Sequence, residues 1–141
     1  MNKILHISKY YPPFQGGIEE TCQLIVNNIR GFEHRVICFN DNTHTVNETV
    51  NNSNILRVGT SLVVASQPIA LSYIYHLNRT LKSFRPDIIH FHAPNPLISL
   101  FLLMLIPKKA KLVVHWHSDI IEQKDTIYKP YKPFEKNLLK R

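Results

Sequence analysis

The chain has 141 residues and a formal charge of +7; 44% of its residues are hydrophobic and 19% charged. That length fits one domain that can bury a core without disulfide staples, and the composition excludes a disordered chain. The start lacks the long apolar stretch of a secretion signal. The longest apolar run, Leu97 to Ile106, is too short to cross a bilayer, which takes about 20 residues. Cys22 and Cys38 therefore read as buried free thiols of a cytoplasmic protein.

In chain order, Lys3 to Ser8 is a predicted strand, and Lys9 to Gly17, with two prolines and two glycines, is the loop after it. Ile18, Cys22, Ile25, Val26 and Ile29 recur at helical spacing, so a helix is predicted over Ile18 to Arg30, with Gly31 as its stop. Arg35 to Phe39 is a second strand. Asp41 to Asn54, rich in Asn and Thr, is predicted as a surface loop, and Ile55 to Val58 as a third strand. Ala70, Tyr73, Ile74, Leu77 and Leu81 predict a helix over Ile69 to Phe84, broken by Pro86. Asp87 to Phe91 is a strand, Leu97 to Ile106 a buried helix bracketed by prolines, and Lys111 to Trp116 another strand. A last helix starts near Pro130.

Strands alternating with helices predict an α/β fold: a Rossmann-like parallel sheet with helices on both faces. Ligands in such sheets bind beyond the carboxyl ends of the strands, which singles out Tyr10 to Gly17, His92 to Asn95 and His117 to Asp119.

Gly16 and Gly17 stand just before a helix, whose amino terminus offers free N–H groups to an anion such as a diphosphate. An ordinary glycine turn is the plainer reading of those two residues alone. The segment is neither GxGxxG nor a P-loop, which disfavours dinucleotide and ATPase sites. His90 and His92 share one side of their strand, as do His115 and His117 of theirs. If these strands are neighbours, four imidazoles converge. No carboxylate or thiolate is placed with them, so no metal is expected, and His90 and His115 read as packed histidines. Six basic residues crowd the stretch from Lys124 to Arg141. They read as a solvated helix face, with an anionic lipid surface as the sharper alternative. No basic-aromatic stripe points to nucleic acid.

Together, a strand, Tyr11-Pro12-Pro13, a short gap and Gly16-Gly17-Ile18-Glu19 resemble the first loop of family 4 glycosyltransferases, retaining enzymes of the two-domain GT-B fold. Asp87-Ile88-Ile89-His90-Phe91-His92 resembles a family strand that ends at the interdomain cleft. His117-Ser118-Asp119-Ile120, after Lys111-Leu112-Val113-Val114, resembles the next strand and loop. The resemblance implies that Gly16 and Gly17 lie beside the donor diphosphate and the acceptor, and that His117 touches the transferred sugar as the catalytic residue. Tyr11 and Glu19 would help shape the loop and its helix. His92, Asn95, Ser118 and Asp119 would belong to the cleft, with Asp119 toward the acceptor.

It further implies a nucleotide-sugar donor, a sugar or lipid-linked acceptor, and no metal or other cofactor. The work would be surface polysaccharide, lipopolysaccharide or glycolipid synthesis in the cytoplasm, with peripheral contact at the inner face of the membrane. Family members carry a second Rossmann-like domain that binds the nucleotide-sugar. Its basic pair and its paired glutamates have no match here. Residues 1–141 are therefore expected to be the acceptor-side, N-terminal domain, inactive without its C-terminal partner. The competing reading is a stand-alone nucleotide-binding or regulatory module without catalysis.

Overall fold

A computed structural model describes residues 1–117 and 136–137; of the helix expected from near Pro130, only residues 136–137, which are helical, are described, and the rest lies outside the described residues. In chain order the elements are β1 (Asn2–Ile7), α1 (Gly17–Asn28), β2 (Phe32–Phe39), β3 (Val46–Val50), β4 (Ser53–Val58), β5 (Leu62–Val64), β6 (Gln67–Ile69), α2 (Ser72–Phe84), β7 (Ile88–Ala93), α3 (Pro96–Leu105) and β8 (Lys111–Trp116). Six strands form one sheet in the order β3-β4-β2-β1-β7-β8. Every neighbouring pair is parallel except β3 with β4. The fold class is the expected one, a largely parallel sheet with helices.

Side chains alternate across a strand, and here the two sets are chemically different. Leu5, Ile7, Ile37, Phe39, Ile89 and Phe91 join Tyr73, Leu77, Leu81 and Phe84 of α2 and Ile98, Phe101 and Leu102 of α3 in the main core. On the opposite face Val36, Cys38 and Ile55 pack with Cys22 and Val26 of α1 and with Tyr11. The helices therefore cover both faces.

The caps follow local sequence. Asn95 accepts a hydrogen bond from the Ile98 N–H (3.1 Å) and Pro96 fills the first turn, which starts α3. At the end of α2, Arg85 turns left-handed (φ 52°, ψ 64°) and donates its N–H to Leu81. Pro86 disfavours a further helical residue there.

Most predicted boundaries shift by one to three residues, and three differences have a clear physical cause. The helix predicted to Arg30 ends at Asn28, and Gly31, at φ 84°, makes the turn into β2 instead. The predicted loop from Asp41 to Asn54 contains β3. It pairs antiparallel with β4 across Asn51 and Asn52, both at positive φ, the backbone a two-residue hairpin requires. The helix expected from Ile69 starts at Ser72, because Gln67 to Ile69 form β6 in a small hairpin turned by Ala65 and Ser66, also at positive φ.

Candidate functional site

The loop after β1 is held from beneath. Arg57, buried on β4, donates to the carbonyls of Tyr11 (2.8 Å) and Pro12 (2.5 Å), while its Nε pairs with Glu48 at 2.6 Å. The Tyr11 ring is buried against α1 and β2, and burial pushes its hydroxyl up to about 12. Tyr11 thus supports the loop from the core side. Glu19, also buried, folds its carboxylate back against Gly16, where an added Cβ would collide with it; Gly17 has open space around it. Glu19 thus sets negative charge at the amino end of α1, where the helix dipole favours it.

Asn95 is likewise buried. Its side chain caps α3 and reaches Gln67 at 3.5 Å, so its visible work is to fix the β7–α3 turn. Because β1, β7 and β8 are adjacent and parallel, the Gly16-Gly17 loop, His92 near the end of β7 and His117 after β8 all lie at the same edge of the sheet. Ser118 and Asp119 lie outside the described residues. A surface concavity of about 820 Å³ lies toward the other edge, lined by residues 106–113 at the start of β8, and does not coincide with this site.

The histidines gather on the face that α1 shares. His6 lies directly opposite His90 in register, and His92 opposite His115. His92 Nδ1 and His117 Nε2 are 2.8 Å apart, and the His115 and His117 rings stack at 4.2 Å. A second chain runs inward. His34 Nε2 meets the Ile29 carbonyl at 2.8 Å, His34 Nδ1 meets His6 Nε2 at 2.9 Å, and His6 Nδ1 meets His90 Nδ1 at 3.2 Å. A carbonyl only accepts, so His34 Nε2 donates to it. Neutral rings then complete the chain if His6 Nε2 donates to His34 and His90 Nδ1 donates to His6.

Burial, reinforced by neighbouring imidazoles, drives these groups to the uncharged form. His6 falls to about 3, His90 to about 4 and His92 to about 2, and His117 is lowered as well. The cluster therefore offers hydrogen bonds and lone pairs at neutral pH, not positive charge. Among the described residues, His92 Nε2 is one of three buried side-chain atoms with no hydrogen-bond partner.

The histidine face was only partly expected. His90, His92, His115 and His117 are brought together as the alternation on two neighbouring strands implies. His6 and His34 were missed; the signal available was a histidine at an inward-alternating position of a buried strand, which acquires meaning only with the register.

The matching family model covers residues 15–141, from the glycine loop through β8 and beyond. The chain belongs to glycosyltransferase family 4. It is 29% identical over 140 residues to the O-antigen chain mannosyltransferase C of Escherichia coli, a match covering 97% of this chain and 37% of that protein. Its fold resembles sucrose-phosphate synthase from Thermosynechococcus elongatus with a TM-score of 0.67 at 12% identity, over all of this chain and 41% of that one. The family 4 chain thus spans well under half the length of both. Among its described residues, no helix is long and apolar enough to cross a membrane.

Proposed function

We propose that this chain is the acceptor-side domain of a retaining glycosyltransferase that moves a sugar from a nucleotide-sugar to an acceptor hydroxyl. The product belongs to surface polysaccharide or lipopolysaccharide, built on a sugar or lipid-linked acceptor at the inner face of the membrane. The observation that carries this reading is His117 in a family 4 chain: it follows β8 at the carboxyl edge of the sheet, bonded to His92. The name of the Escherichia coli relative makes a mannosyl nucleotide the first donor to test.

In this mechanism Gly16 and Gly17 let the donor diphosphate approach the amino terminus of α1. The aligned N–H groups stabilise charge developing on the leaving diphosphate without a metal ion. His117, held uncharged by burial and by His115, is a poor proton donor and a good hydrogen-bond partner. Its role is to hold a sugar hydroxyl while the anomeric carbon gains oxocarbenium character. Such a contact strengthens toward the transition state and acts on kcat. The nucleotide-sugar contacts come chiefly from a second domain, so residues 1–141 alone do not turn over.

The test is a transfer assay with a panel of nucleotide-sugars and lipid-linked acceptors, run on the whole enzyme and on residues 1–141. Transfer by the whole enzyme with configuration retained supports the reading. Nucleotide binding by residues 1–141, with no transfer under any condition, favours a regulatory module instead.

A further inference from the structure

We propose that His90, His92 and His115 form a binding site for one divalent first-row transition metal ion, of which zinc is the first to test. The site is distinct from the glycine loop and independent of the transfer reading. Three imidazoles suit such ions, whereas magnesium and calcium seek oxygen ligands.

The register builds a tripod. His92 and His115 are cross-strand partners, and His90 lies two residues before His92 on the same face of β7. The ring centroids are 4.3 Å apart for His90 and His92, 5.4 Å for His92 and His115, and 5.6 Å for His90 and His115. One nitrogen from each ring lies within 4.8 Å of the other two. Zinc–nitrogen bonds of about 2.0–2.1 Å in tetrahedral geometry place such nitrogens roughly 3.3 Å apart, a gap that small ring rotations close.

An independent observation points the same way. His92 is 1% exposed, and its Nε2 has no hydrogen-bond partner among the described residues. Buried polar atoms of this kind call for a partner. A metal ion supplies one where none of the described residues does. The remaining nitrogens are already engaged as ligating histidines need. His92 Nδ1 faces His117 and His90 Nδ1 faces His6, leaving each Nε2 for the ion. A second partner on the far nitrogen fixes both tautomer and ring orientation. With the ion on His92 Nε2, His92 must donate from Nδ1 to His117, so metal occupancy sets the tautomer of the neighbouring site. His115, half-buried on β8, gives the ion a route in.

A competing group, His6, Cys22 and His92, is fully buried. Burial pushes the Cys22 thiol up, and ligation requires the thiolate. The three-histidine site is the better one. The proposal departs from the sequence-based expectation of no metal, because the register and the orphan nitrogen exist only in the fold.

The experiment is a cobalt(II) titration of the untagged, metal-free full chain, followed by visible absorbance, with zinc added afterwards to displace cobalt. The expected result is one equivalent bound, with the absorption of a low-coordinate cobalt–nitrogen site. His115→Ala, a change at a half-buried position, should weaken binding by more than the roughly 10- to 100-fold that loss of an outer partner costs. His44→Ala, on an exposed loop, should bind like the parent. Binding below one equivalent, or unchanged binding in His115→Ala, overturns the proposal, as does a sulfur-to-cobalt charge-transfer band, which would assign the ion to Cys22. The parent titration decides even if a variant misfolds. None of these readouts depends on sugar transfer, so they stand or fall apart from the glycosyltransferase reading.

Discussion

The two faces of one sheet differ more than any two elements of this molecule. Along β7, Ile89 and Phe91 enter an apolar core beneath α2 and α3, while His90 and His92 point the other way into a field of imidazoles. The same split occurs in β1, where Leu5 and Ile7 alternate with His6. One face supplies stability through apolar area removed from water. The other spends buried volume on groups that gain little from burial, and whose protonation opposes folding. Buried polar clusters are high-stakes, stable only when their members are partnered. The division therefore assigns stability to one side of each strand and chemistry to the other.

The sharpest way to break this comparison is to cut the apolar face. Phe91, 1% exposed, should cost about 3–5 kcal/mol when replaced by Ala, the usual price of a large aromatic in a core. Urea denaturation of Phe91→Ala measures it. A loss below about 1 kcal/mol would mean that this face does not carry the fold.

Next in size is a change confined to the histidine face. His117→Ala in the whole enzyme should lower kcat by on the order of 10²-fold, about 2.7 kcal/mol, with little change in melting temperature. Stability should hold because His117 follows β8 and is only half-buried. A variant with normal kcat and a raised KM would assign His117 to uniform substrate binding.

The third effect is a pH slope. His6 titrates near 3 in the folded chain, below the ordinary 6.5 of an unfolded histidine. The unfolded state then binds the extra proton between those values, so stability is intact above about 6.5 and falls as pH drops below it. One such histidine contributes about 1.4 kcal/mol per pH unit. Chemical denaturation of chelator-treated protein between pH 7.5 and 5 should show this fall, and His6→Gln should flatten the slope by about that amount. An unchanged slope would show that His6 is not held neutral by the fold.

The contrast between faces also explains what the sequence made legible. Apolar patterning marked β1, β2, β4, β7 and β8, helical spacing marked α1 and α2, and an apolar run bracketed by prolines marked α3, because burial leaves a mark in the sequence. β3 was hidden because Val46 to Val50 lies at the sheet edge, half solvated, with polar residues between its valines. Its hairpin turn is made by Asn51 and Asn52 without the glycine that usually marks one. The histidine face was legible by pairs within a strand but not across strands, since the pairing of His6 with His90 depends on a register 84 residues apart. Asn95 stands in a loop beyond a strand end, as His117 does, yet its side chain caps α3; sequence position does not tell a loop residue that faces out from one that anchors the loop beneath.

The smallest expected effect separates the glycine loop's structural work from its chemical work. Gly17 opens α1, its backbone is not in the left-handed region, and a Cβ there would meet nothing within 4 Å. Alanine is the better helix former and glycine the more costly residue to order, so Gly17→Ala should leave stability unchanged or raise it by at most about 1 kcal/mol. Gly16 differs, since its Cβ would meet the Glu19 carboxylate, and it is the poorer probe. If the open space at Gly17 is where a donor diphosphate approaches the helix amino terminus, a single methyl obstructs it. Gly17→Ala should then fold as well as the parent yet raise the KM for the nucleotide-sugar, read by melting curves and steady-state kinetics on the same preparation. Unaltered kinetics would make the paired glycines an ordinary turn and move the diphosphate away from α1, while leaving the histidine face untouched.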